Sequence, residues 1–263
     1  MSLQFAKYHG TGNDFILIDD REENFRGDSE FIKKLCDRHF GIGADGLMLL
    51  QTAAGFDFRM VYYNADGKES SMCGNGGRCI VAFARKLGLL DTEKASFVAT
   101  DGPHEAIILH EHPEETQVKL KMIDVSPIHI TGDHAFINTG SPHFVIETEQ
   151  INSLDIIAEG RKIRYSDAFS PGGTNVDFLQ YNSASIRVRT YERGVEDETL
   201  SCGTGVTAAA IFAAASRPST YPSPIQTLTL GGPLQVHYSG SDNGFGEIWL
   251  EGPASLVFEG KIN

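Results

Sequence analysis

The chain has 263 residues, 41% hydrophobic and 22% charged, proportions of a globular rather than a disordered protein, and its length predicts two domains of about 130 residues each. Its 35 acidic against 22 basic residues give a net charge of -13, which repels nucleic acid and anionic membranes at long range. Nothing in the first residues resembles a signal peptide, no apolar run approaches the roughly 20 residues that span a bilayer, and four cysteines (Cys36, Cys73, Cys79, Cys202) do not make a disulfide framework in a chain this long. A cytoplasmic location with reduced thiols is expected.

From the N-terminus, Phe5 to His9 and Phe15 to Ile18 read as strands around the turn His9-Gly10-Thr11-Gly12-Asn13-Asp14. Ser29 to Arg38 has helical spacing of Phe31, Ile32, Leu35 and Cys36, with Asp28 or Ser29 as cap. Gly41-Ile42-Gly43-Ala44-Asp45-Gly46 matches GxGxxG literally. A dinucleotide site needs a strand before that motif and a helix after it. Here a helix precedes and the apolar strand Leu47 to Leu50 follows, which excludes that reading. Phe56 to Tyr63 alternates as a strand, Asn64-Ala65-Asp66-Gly67 turns, and Cys73-Gly74-Asn75-Gly76 leads into a helix from Ile80 to Leu87 that ends near Gly88. Cys79 falls inside that helix as a packed residue. Phe97 to Leu109 and Val118 to Met122 read as strands, and His110 and His112 tip the loop between them.

The second half repeats this order. Ile137 to Ile146 gives strand, turn, strand; Ser153 to Ile163 is helix-like; Ser170 to Asn175 is a glycine-rich turn before the strand Val176 to Leu179. Ile186 to Tyr191 is a strand, followed by Cys202-Gly203-Thr204-Gly205 and the Ala-rich helix Val206 to Ala215, then strands at Thr227 to Tyr238 and Glu247 to Leu250. The two cysteines lie 202 − 73 = 129 residues apart, and the same shift pairs Glu69 with Glu198, Gly74 with Gly203, Gly76 with Gly205 and Tyr62 with Tyr191. Order and spacing that persist together mark an internal duplication. The expected fold is α+β: two pseudo-symmetric domains, each a mostly antiparallel sheet wrapped around the helix that follows its cysteine. The expected limits are residues 1–123 with 254–263, and 124–253.

A cysteine at a helix N-terminus meets unpaired backbone N–H groups and the positive end of the dipole, which bind a carboxylate and favour thiolate. Two such starts facing one ligand across an interdomain cleft suit inversion of a stereocentre. One sulfur removes the proton alpha to a carboxylate, and the other returns a proton to the opposite face. The rival reading is a redox pair of Cys73 and Cys202, which no C-x-x-C motif supports. A zinc site lacks the ligand spacing.

Taken together, the stretches Lys7 to Phe15, Gly41 to Gly46, Asn64 to Gly67, Met72 to Cys79, Gly173 to Val176, Tyr191 to Gly194 and Ser201 to Gly205 resemble the diaminopimelate epimerase family along the whole chain. The resemblance implies interconversion of LL- and meso-2,6-diaminopimelate in lysine and peptidoglycan synthesis, without pyridoxal phosphate or metal, by a homodimer. It makes Cys73 and Cys202 the acid-base pair, with Cys202 the acceptor in the LL-to-meso direction. It assigns Gly74, Asn75, Gly203 and Thr204 to the reacting carboxylate, and Asn13, Asn64, Asn175, Glu192 and Arg193 to the distal amino acid end. His143 and Glu192 would set the thiol pKa values. Ser141 stands where the family has Asn, Gly77 where it has an apolar residue, and Gly194 to Thr199 is unusually acidic. Racemases of proline, hydroxyproline or histidine share the two-thiol logic. Retention of Asn64, Asn175, Glu192 and Arg193 favours a substrate with two amino acid ends.

Overall fold

The computed structural model describes residues 3–241 and 243–262. Met1 and Ser2, where the opening strand pattern begins, Asp242, and Asn263, the last residue of the expected first domain, lie outside the described residues. The chain divides into two compact units, Met1–Leu120 with Gly252–Asn263, and Lys121–Glu251.

In the first unit a hairpin of β1 (Leu3–Gly10) and β2 (Asn13–Asp19) is followed by α1 (Ser29–Cys36) and by β3 (Gly46–Gln51), which lies parallel to β2. Antiparallel β4 (Phe58–Asn64) and the short β5 (Glu69–Ser70) lead to α2 (Gly74–Lys86). Then come β6 (Lys94–Ala99), parallel to β4, and the antiparallel strands β7 (Gly102–Glu111) and β8 (Glu115–Lys121).

The second unit repeats this path after a two-residue β9 (Ile130–Thr131). A hairpin of β10 (His134–Asn138) and β11 (Pro142–Glu147) precedes α3 (Ile156–Arg164), and β12 (Asn175–Tyr181) lies parallel to β11. Antiparallel β13 (Ser185–Glu192) and β14 (Asp197–Thr199) lead to α4 (Gly203–Ser216). Next are β15 (Ile225–Thr229), parallel to β13, and antiparallel β16 (Gly232–Ser241). Every pairing has its counterpart in the other unit, so the duplication extends from sequence spacing to hydrogen-bond topology. The last strand, β17 (Gly244–Ile262), pairs with β16 in the second unit and with β8 and β1 in the first.

The central strands are apolar without alternation because both faces are covered. On one face of the first unit, Ile16, Ile18, Leu47, Leu49 and Val61 pack with Ile32 and Leu35 of α1. The intervening Phe15, Leu17, Met48 and Leu50 point the other way and are equally buried. Ile156 of α3 packs likewise on Val176, Phe178 and Tyr191. Helix α4 contacts strands on several sides and buries Val206 through Ala214 completely, as an all-apolar helix must.

Four expectations change. Phe97 to Leu109 and Thr227 to Tyr238 are each a hairpin, because Ala99 pairs with Gly102 and Thr229 with Gly232 across two-residue turns. Both turns end on a glycine at positive φ, +120° and +132°, and such short glycine turns are easily lost inside an apolar run. The closing strand expected at Glu247 to Leu250 runs on to Ile262 as β17, which changes partner at Glu251 and Gly252 instead of ending there. The cysteine helices begin at Gly74 and Gly203 rather than Ile80 and Val206, since a glycine-rich first turn carries no apolar periodicity. Phe31 is exposed on α1, against Phe25, and off the buried stripe.

The acidic segment after Arg193 has a structural use. Glu198 forms a bidentate pair with Arg189, at 2.6 and 2.7 Å. Glu196 takes bonds from Arg164, Tyr165, Tyr191 and the Gly194 N–H. The Arg164 contact, with help from the others, holds the Glu196 carboxyl down to about 2, below its ordinary 4.5. Its stabilisation is therefore complete above pH 4.5 and is lost as pH falls toward 2. Glu196→Gln is expected to lose about 1 to 3 kcal/mol at neutral pH. Its stability should also fall less between these pH values in urea melts. An unchanged acid limb would contradict this.

Candidate functional site

Each unit builds a half-site at the start of its central helix. Cys73 is the N-cap of α2 and Cys202 the N-cap of α4, both in extended backbone and neither capping with its side chain. The first intrahelical bonds match: Gly77 N–H to Cys73 O at 2.7 Å and Val206 N–H to Cys202 O at 2.8 Å. The earlier N–H groups of each first turn have no carbonyl partner within their helix, and neither first turn holds an acidic side chain. Such a turn is an anion cradle.

In the first unit the structure brings Cys73, Asn13, Asn75 and Gly74 together. Asp45 accepts from Asn13 Nδ2 at 2.5 Å, which fixes the amide and turns its Oδ1 toward Cys73 Sγ, 3.6 Å away. Asn75 Nδ2 also faces that oxygen, at 3.5 Å. The GxGxxG stretch is thus a loop that delivers Asp45; Lys7 Nζ fastens it at the Gly43 carbonyl. Lys7 and Arg38 both pair with Asp14. Burial alone would raise the Asp14 carboxyl, but the two cations outweigh it and hold it at about 2. Asn64 lies exposed at the end of β4, and among the described residues no side-chain hydrogen bond is seen between it and Cys73, Asn13 or Asn75.

Arg78 lies beneath, fully buried, and composition alone did not reveal it. Its guanidinium donates to Gly74 O, Thr11 Oγ1, Asn75 Oδ1 and Pro253 O at 3.0 to 3.3 Å. All four acceptors are neutral, and burial pulls its pKa below the usual arginine value. The bond to Asn75 Oδ1 fixes that amide so that Nδ2 faces Asn13 Oδ1. Thr11 is held at φ 51°, in the left-handed region, within the turn that reaches Arg78. An arginine placed between Gly76-Gly77 and the apolar run Cys79 to Ala84 was the available signal.

In the second unit Cys202, Thr204, His143, Asn175 and Glu192 come together. Cys202 Sγ is 3.5 Å from Thr204 Oγ1, and Thr204 Oγ1 is 2.9 Å from His143 Nε2. Asn175 donates through Nδ2 to Ser141 Oγ and Pro142 O, and accepts the Arg193 N–H at Oδ1. Ser141 therefore helps to orient Asn175. The Arg193 side chain is exposed, with one long contact to Gly172 O. Gly203 is the first helical residue and buried.

The expected depression of the cysteine pKa does not hold at Cys202. Burial, then the carboxylates of Glu192 and Asp177, push this thiol well above its ordinary value, against the hydroxyl of Thr204 and the N–H of Gly205. Desolvation and two nearby acids outweigh a helix start. Burial likewise raises Glu192, in contact with Cys202. The two half-sites differ in charge: Cys73 stands over a buried cation, Cys202 among buried acids.

Among solved structures, the fold matches a Bacillus anthracis phenazine biosynthesis protein of the PhzF family, with TM-score 0.76 over 100% of this chain and 99% of that one, at 14% identity. It also matches an Agrobacterium vitis hydroxyproline epimerase with bound trans-4-hydroxy-L-proline, with TM-score 0.69, 99% and 92% coverage, and 13% identity. The architecture is therefore the two-domain α+β fold shared by these proteins. The family model for diaminopimelate epimerase matches residues 5–126 and 135–257. Proteins of that name are 48% identical in Flavobacterium psychrophilum, covering 99% of this chain and 100% of the relative, and 42% identical in Chlorobaculum tepidum, covering 96% and 98%. The chain belongs to the diaminopimelate epimerase family, and so to the isomerases.

Proposed function

We propose that this chain interconverts LL- and meso-2,6-diaminopimelate by inverting one α-carbon, with Cys73 and Cys202 as the paired proton acceptor and donor. The observation that carries the mechanism is the duplicated cysteine N-cap, each followed by a glycine-rich first turn without acidic side chains. In this reading the N–H groups of both first turns, with Asn75 and Thr204, hold the reacting carboxylate and stabilise charge as the α-proton leaves. Inversion requires the two sulfurs to act on opposite faces of one carbon. Each unit serves as one epimerase repeat. Family membership supports the substrate, and Asn13, Asn64, Asn175, Glu192 and the exposed guanidinium of Arg193 are assigned to its distal amino acid end, Arg193 as a bidentate carboxylate grip. His143 and Glu192 tune the thiols.

We place the enzyme in the cytoplasm as a homodimer, to be checked by fractionation and by light scattering. The substrate assignment is tested by offering LL-diaminopimelate, proline, hydroxyproline and histidine in parallel. Preference for LL-diaminopimelate is expected, and faster turnover of any of the others would contradict it. Arg193→Lys should raise KM for diaminopimelate by about tenfold, from loss of roughly 1.5 kcal/mol of charged hydrogen bonding, with kcat less affected. An unchanged KM would remove Arg193 from the substrate site.

A further inference from the structure

Behind Cys202 runs a chain of buried polar groups that the two-thiol scheme does not use in full. His143 Nδ1 lies 2.7 Å from Asp177 Oδ2, and Thr190 Oγ1 donates to the other Asp177 oxygen at 2.7 Å. His143 and Asp177 are both 0% exposed. An ionised carboxylate offers acceptors only, so the hydrogen between these residues belongs to His143 Nδ1. The far side of the ring is compatible with that tautomer. Asn175 Nδ2 lies 3.4 Å from His143 Nε2 but commits its two hydrogens to Ser141 Oγ and Pro142 O, while Oδ1 takes the Arg193 N–H. With its hydrogen on Nδ1, the ring carries its lone pair on Nε2, 2.9 Å from the Thr204 hydroxyl, which can donate to it.

We propose that Asp177 is a positioning residue: it locks His143 as the Nδ1–H tautomer, leaving Nε2 as the proton-accepting end of the path from Cys202 through Thr204. The proposal rests on the reading of Cys202 as an acid-base group. In the step it supports, the Cys202 S–H bond breaks and its proton passes to Thr204 Oγ1. The Thr204 hydroxyl proton passes to His143 Nε2. A thiolate and an imidazolium form, and the imidazolium stays paired with the Asp177 carboxylate. No redox change occurs. The site gives such a path a use: Cys202 Sγ, Thr204 Oγ1 and His143 Nε2 lie in series at 3.5 and 2.9 Å, and burial beside Glu192 and Asp177 disfavours the thiolate. The groups that face His143 are Asp177, Thr204, Asn175 and, through its field, Glu192.

The test is nitrogen-15 NMR of histidine-labelled full-length protein at mildly alkaline pH, with the His143 signals assigned by their loss in His143→Gln. Hydrogen on Nδ1 and a bare Nε2 are expected. Hydrogen on Nε2, in a neutral or a charged ring, would overturn the proposal without any change at Asp177. In Asp177→Asn the new amide can donate to Nδ1, so the ring should switch to the Nε2–H form. Then kcat should fall about 10²- to 10⁴-fold with KM nearly unchanged. An unchanged tautomer or unchanged kcat in that variant would also overturn it. The tautomer reading is independent of turnover: a failed two-thiol scheme would show as an active Cys202→Ala, with the wild-type ring state unaffected.

Discussion

Cys73→Ala and Cys202→Ala should each lose at least about 10²- to 10⁴-fold in kcat, the contribution of a single positioned proton-transfer group. With both removed the loss should hardly deepen, because groups that act as a unit are not additive. The folded state should tolerate the changes. Each sulfur is a small group at a helix start, without a disulfide, and neither side chain caps its helix. Thermal midpoints within a few degrees of the parent, with turnover gone, would separate chemistry from folding. Turnover retained in either variant would remove that cysteine from the mechanism. The charge contrast adds detail. Burial and the nearby carboxylates favour the thiol form of Cys202, so thiol-directed alkylation at neutral pH should favour Cys73.

Gly205→Ala should be far more damaging than Gly76→Ala, although the two glycines are equivalent in the repeat. A methyl group on Gly205 would lie 2.3 Å from Asp177 Oδ1 and 3.2 Å from Thr190 Oγ1. Asp177 is fixed by His143 and Thr190 and cannot yield without breaking those bonds. Overpacking of this kind costs about 1 to 3 kcal/mol, and displacement of Asp177 frees His143. The expectation is reduced stability together with a fall in kcat of at least about tenfold, as part of the acid-base contribution is lost. On Gly76 the methyl would meet the Met48 Cε at 2.6 Å, the far end of a flexible side chain that can turn aside. That variant should stay within about 1 kcal/mol of the parent. Urea melts and kcat for both variants decide, and equal damage would contradict the packing argument.

The fold was largely legible because duplication constrains it twice. A weak strand reading in one half, such as Ile186 to Tyr191, gains from its partner at Phe56 to Tyr63. What escaped were features without periodicity: the glycine turns after Ala99 and Thr229, the first helical turns at Gly74 and Gly203, and the partner change within β17. At the candidate site, the cysteines were readable from the repeat, whereas Asn13, Asn75, Asn175, His143 and Thr204 were assigned only through the family resemblance. Their supports were not readable, since they are joined only by the fold. Asp45 is 32 residues from Asn13, and Asp177 is 34 from His143. The one local hint was a charge set in an apolar stretch, as with Arg78 in α2 and Asp177 in Val176-Asp177-Phe178. The reading of Cys202 as a depressed thiol failed for the same reason. A helix start is visible in sequence, whereas the two acids that oppose it arrive from β12 and β13.

The most direct measurement of the two-thiol account is epimerisation of LL-diaminopimelate in deuterated water, with the product analysed by mass spectrometry and proton NMR. A sulfur that delivers hydrogen to the opposite face carries solvent deuterium, so meso product with one deuterium at the inverted α-carbon is predicted. Product that forms at the normal rate with its original hydrogen retained would contradict the account.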